Sequence, residues 1–99
     1  MGTRCDFYVG RGESAEWIGS LAWDGYPDNE EFTPFLAATS EEAFRREIRR
    51  LFESREDATT PEQGWPWPWS NSRTTDYTYA WEANVVWISN FGRSWATAK

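Results

Sequence analysis

The side chains able to do chemistry in this chain are mostly carboxylates. Sixteen Asp and Glu stand against ten basic residues, with one cysteine and no histidine. Without imidazole, the usual general base, the commonest zinc ligand and every Ser/His or Cys/His nucleophile arrangement are excluded. Carboxylates alone can work in pairs as acid and base at a glycosidic bond, or hold a hard cation through oxygen. Glu16, Asp24 and Asp76 are candidates for the first role, and Asp24, Asp28, Glu30 and Glu31 for the second. These four lack the spacing and central glycine of a calcium loop, and any acidic domain offers carboxylate pairs. No catalytic residue, metal or cofactor is assigned. Gly10-Arg11-Gly12 is glycine-rich but joins two strand patterns instead of opening a helix, so it reads as a turn and not a phosphate loop. Cys5 falls inside an apolar alternation, the place of a small buried hydrophobe.

The second chemical resource is aromatic: eight Trp, six Phe and four Tyr. Residues 64–69, GWPWPW, interleave Trp65, Trp67 and Trp69 with two prolines. A residue before proline is pushed toward extended geometry, and proline has no N–H for a ladder. The segment is therefore expected to be an extended strap across an apolar surface and not an inner strand. At least one of its indoles should be buried and at least one exposed as a partner-binding anchor. Ser70, Ser72, Arg73, Thr74 and Thr75 follow it with the composition of an adaptable binding loop, and Arg73 joins the candidate contacts.

Net charge is −6, which argues against a nucleic-acid partner held through its phosphates. Residues 1–38 hold seven acids against Arg4 and Arg11, so this end would steer association with a basic protein surface. Asp24, Tyr26, Asp28, Glu30 and Glu31 are the candidate contacts there. A lone cysteine and no signal-peptide pattern predict a cytoplasmic protein. No apolar run approaches the ~20 residues of a membrane span.

These residues need elements to hold them. CDFYV (5–9) and the segment 15–23 alternate with period two and form a first hairpin, with Trp17, Leu21 and Trp23 expected on one face and Glu16, Ile18 and Ser20 on the other. The state of FTPFLAA (32–38) is left open by Pro34. Residues 40–54 carry Phe44, Ile48, Leu51 and Phe52 on one helical stripe, with Thr39 and Glu42 spaced as a capping box. DYTYAWE (76–82) and VVWISNF (85–91), joined at Ala83-Asn84, form a second hairpin. The expected fold is α+β: an antiparallel sheet of about four strands in two hairpins, one amphipathic helix packed on it, order ββαββ. It is read as one domain, 1–99, with a flexible tail from about residue 96.

The stretches CDFYVGRGESAEWIGSLAWDGYP (5–27) and GWPWPWSNSRTTDYTYAW (64–81) resemble small acidic proteins of unknown function from proteobacterial chromosomes, prophages and mobile elements. The resemblance implies no activity and transfers no functional residue. It suggests genomic company in which small acidic proteins are often inhibitors of host defence, anti-CRISPR proteins among them. The leading expectation is a non-enzymatic interaction module that blocks a basic, nucleic-acid-binding surface of a larger host protein. The alternative is a small ligand-binding or hydrolytic domain whose tryptophans line a carbohydrate or nucleotide cleft, served by Glu16, Asp24 or Asp76.

Overall fold

The structure is a computed structural model, and it describes residues 2–98. It is α+β, with strands β1 (Cys5–Val9), β2 (Glu16–Leu21), β3 (Ala58–Thr59), β4 (Tyr77–Glu82), β5 (Val85–Asn90) and β6 (Ala96–Thr97). The helices are α1 (Thr33–Leu36) and α2 (Glu41–Glu53). Two single 3-10 turns lie at Glu30–Phe32 and Ser72–Thr74. All strands join one sheet, in the order β3-β2-β1-β4-β5-β6. Among the described residues no helix is long and apolar enough to cross a membrane.

The expected architecture is corrected in strand number, helix number, strand direction and the order ββαββ, which becomes ββααββββ. The sheet has six strands and not four, and a second, short helix precedes the long one. β3 and β6 are two residues each, too short to show any alternation, and exist only because they pair with β2 and β5. The sheet is also mixed. Both hairpins form as antiparallel pairs, but they meet through β1 and β4, which run parallel, Cys5 beside Tyr77 to Val9 beside Trp81. Parallel neighbours need a long crossover connection, here everything between β2 and β4. That pairing is set by the path of the chain, which local periodicity does not encode. At the C-terminus Ala96–Thr97 pairs with β5, while Lys99 of the expected tail lies outside the described residues.

Helix α2 starts one residue later than the capping box suggests. Ser40, not Thr39, is the cap, and its Oγ accepts from the Ala43 N–H at 3.1 Å. Phe44, Ile48 and Leu51 are buried, while Phe52 is half-buried with its ring 5.6 Å from that of Phe7. The helix covers a sheet face formed by Cys5, Phe7, Leu21, Tyr79, Trp81 and Val86, with Phe32 and Phe35 wedged beside it. Phe7, Phe35 and Tyr79 share the centre of the core; Phe7 is in ring contact with Phe32, Phe35, Phe52 and Tyr79.

A bulge changes which side chains reach this core. The β1–β2 register shifts between Phe7 and Tyr8, so Phe7 faces Gly19 and Tyr8 faces Trp17. One extra residue moves all that precede it to the other face. Trp17 therefore leaves the face of Leu21, and Ile18 and Glu16 go to the helix side, where Glu16 pairs with Arg45 of α2 at 2.7 Å. Gly19 is required at this point. Its φ is +144°, and a Cβ there would lie 2.2 Å from the Phe52 ring.

Candidate functional site

The second face of the sheet begins with a row of buried polar residues. Ser20, Asp6, Thr78 and Ser89 are neighbours across β2, β1, β4 and β5, and none is more than 4% exposed. The strap crosses above this row because the chain leaves β3 at one edge and must pass β2 and β1 to enter β4. The helix already occupies the other face. Trp65 packs edge-on against Trp17 of β2, centroids 5.2 Å apart. Trp67 reaches Asp6 of β1, its Nε1 donating to Oδ1 at 2.7 Å. Trp69 stacks on Trp67 at 5.6 Å and donates to Thr75 Oγ1 at 2.9 Å. The Trp65 N–H goes to the Trp69 carbonyl, and the Arg4 guanidinium sits over both Trp67 and Trp69.

Asp6 is the centre of this layer. Its carboxylate accepts from Ser20 Oγ, Ser72 Oγ and Trp67 Nε1. Ser72 has one hydroxyl proton and gives it to Asp6, so in its 2.8 Å contact with Tyr8 the tyrosine donates. Trp17 likewise donates to Ser20. The network ties β1, β2, the strap and the 72–74 turn together, and it commits three of the carboxylate's acceptor sites within the chain.

The three strap indoles share one condition. Each is half-buried, and each N–H is satisfied within the chain. The expected division into one buried and one exposed ring is not what forms, because stacking and the Asp6 bond hold the segment flat on the sheet. Arg73 is exposed at the end of the strap.

The acidic candidates lie elsewhere, on the loop between β2 and α1. Asp24, Tyr26, Asp28, Glu30 and Glu31 are all exposed there. The loop is held from below. The Tyr79 hydroxyl, buried in the core, donates to the Gly25 carbonyl at 2.6 Å, and the Gly25 N–H donates to Thr3 O at 2.8 Å. Asn29 Nδ2 closes back on the Asp24 carbonyl, which helps Asp24 hold a φ of +57°. The Trp23 N–H donates to Asp57, and the Arg55 guanidinium bonds the Trp23 carbonyl, Glu31 and Asp57. Burial opposes ionisation of Asp57, but Arg55 and the Trp23 amide outweigh it and hold its carboxyl below the ordinary value. Phe32 and Phe35 anchor the far end in the core.

This scaffold leaves Trp23 52% and Tyr26 41% exposed. Trp23 was missed from sequence because it extends the alternation of β2, which ends two residues earlier at Leu21. The Arg55-Asp57 clamp was missed too, since it forms only when residues 31 and 55 meet. Charge is also redistributed from the sequence picture. Asp6 is buried, Glu16 is taken by Arg45 and Glu31 by Arg55. Asp24, Asp28 and Glu30 make no ion pair among the described residues and supply the free negative charge of the loop that bears the two rings.

The carboxylates of the hydrolytic alternative are dispersed. Glu16 lies beside Val9 at one end of β1, tied to Arg45, while Asp76 accepts from the Arg4 N–H at the other end. Five residue steps separate Arg4 from Val9, roughly 16 Å. Among the described residues no three acidic or cysteine side chains come together so as to hold a metal ion. Comparison with family models, curated proteins and solved structures finds no match to this chain.

Proposed function

We propose that the protein is a non-enzymatic interaction module that docks through the loop between β2 and α1. The observation that carries this reading is the exposure of two large aromatic rings, Trp23 and Tyr26, on a loop whose backbone is pinned from beneath. Exposed tryptophan and tyrosine are the residue types enriched at binding hot spots, and a pre-ordered loop loses little entropy on docking. Asp24, Asp28 and Glu30 lie exposed on the same loop as the rings, so the complementary partner is a protein with a basic surface. Occlusion of a host protein's nucleic-acid groove is the form such docking would take, in keeping with the mobile-element proteins the chain resembles. The strap then acts as the cover of the sheet's second face.

The test is affinity capture from a bacterial lysate with quantitative mass spectrometry, comparing the wild type with a Trp23→Ala/Tyr26→Ala variant and a Glu41→Ala control on α2. A protein retained by wild type and control and lost by the double variant, whose circular dichroism is unchanged, supports the reading. Equal retention by all three chains refutes it.

A further inference from the structure

The strap covers only half of the polar row. Over the other half, at Thr78 and Ser89, the sheet opens into a cleft of about 600 Å³, within the range of small-molecule sites. Its rim bears Arg11, Arg73 and Arg93 against Glu13, a basic lining in a chain of net charge −6. Arg11 is taken by Glu82 at 2.7 Å and lies over the Trp87 ring. The other two are open to a ligand: among the described residues Arg73 makes no ion pair, and the Arg93 guanidinium makes only a long 3.4 Å contact with Asn90.

The floor has a definite polarity. Tyr8 donates its proton to Ser72 and Ser89 donates its proton to the Arg93 carbonyl, so both oxygens are left as acceptors. Between them Thr78 Oγ1 is buried without a hydrogen-bond partner among the described residues, an arrangement that costs stability unless something meets it. Acceptors at Tyr8 and Ser89, beside a Thr78 hydroxyl that can both donate and accept, suit the hydroxyls of a ligand, which do both. Guanidinium groups on the rim call for an anion, and phosphate fits them best. Trp95 adds an indole wall.

We propose that this cleft binds a small phosphorylated ligand bearing free hydroxyls, of the size of a sugar phosphate or nucleoside monophosphate. The phosphate sits at Arg73 and Arg93, and the hydroxyls reach Tyr8, Thr78 and Ser89. The site is independent of the docking loop.

Titration of the isotope-labelled full chain with AMP, ribose 5-phosphate, adenosine and inorganic phosphate, read by amide chemical shifts and calorimetry, tests this. At about 1 mM ligand, AMP or ribose 5-phosphate should give saturable shifts at residues 8, 72–73, 78 and 93. Adenosine and inorganic phosphate should each bind about tenfold more weakly or not at all. Arg73→Glu/Arg93→Glu, exposed positions that leave the fold intact, should weaken the phosphorylated ligand at least tenfold. Thr78→Val should weaken it severalfold without lowering the melting temperature of the free protein. No saturable shift with either phosphorylated ligand overturns the proposal. So does adenosine matching AMP, inorganic phosphate matching both, or indifference to the double charge reversal.

Discussion

Replacing Asp6 by alanine should be among the most damaging single changes in the molecule. The carboxylate accepts three hydrogen bonds, two from serine hydroxyls and one from the Trp67 indole, all within 2.7 Å, and it is fully buried. Each bond to a charged acceptor contributes ~1.5–3 kcal/mol. The serine hydroxyls can turn to other acceptors, but the indole N–H is fixed by the stack on Trp69 and cannot. Counting one full loss and two partial ones gives ~3–5 kcal/mol, a large share of the ~5–15 kcal/mol typical of a domain. Asp6→Asn should be milder, at ~1–2 kcal/mol. Its amide oxygen keeps Ser20 and Trp67, and its NH2 can donate to Ser72 if the Ser72–Tyr8 bond reverses polarity. Urea melts followed by tryptophan fluorescence and far-ultraviolet circular dichroism read both variants. A loss below about 1 kcal/mol for Asp6→Ala, or an Asn variant as unstable as the Ala variant, would refute the reasoning that this network holds the strap to the sheet.

Two further outcomes concern the scaffold. Gly19→Ala should destabilise by ~2–4 kcal/mol, because its Cβ would overlap the Phe52 ring and its φ of +144° disfavours any side chain; melts checking it should show partial recovery in Gly19→Ala/Phe52→Leu. Asp57 has a lowered pKa in the folded state, so its contribution is fully present above the ordinary carboxylate pKa near ~3.9 and is lost as pH falls through the lowered value. Urea midpoints should hold steady from neutral pH to about pH 5 and decline below about pH 4, and Asp57→Asn should be less stable at pH 7 with a shallower acid limb.

What could be read from the sequence was what is local. The stripe Phe44, Ile48, Leu51 announces α2, and the alternations of 5–9, 76–82 and 85–91 announce their strands, because side-chain period alone fixes them. The same logic failed at Ile18, where a one-residue bulge reverses the faces of Trp17 and Glu16 without any change in composition. It failed again for the parallel β1–β4 pairing, which depends on how the 55 residues between β2 and β4 are routed. The strap was recognised as extended and non-ladder from Pro66 and Pro68, but its partner was not, since Asp6 in CDFYV looks like any outward polar residue until Trp67 lies on it. Of the candidate contacts, the acids of the 24–31 loop could be located from sequence. Their aromatic neighbour Trp23 could not, because where β2 ends is decided by its pairing with β1 and β3.

The central claim is that the pinned loop carrying Trp23 and Tyr26 is the surface that meets a partner. Hydrogen–deuterium exchange of the protein alone and in complex with the captured partner measures that surface directly. The account predicts added protection at amides 22–31, and an on-rate that falls when Asp24, Asp28 and Glu30 are reversed to Lys with Glu31 left to hold Arg55. Protection confined to residues 64–75, with the loop exchanging as in the free protein, would contradict it and move the docking surface to the strap.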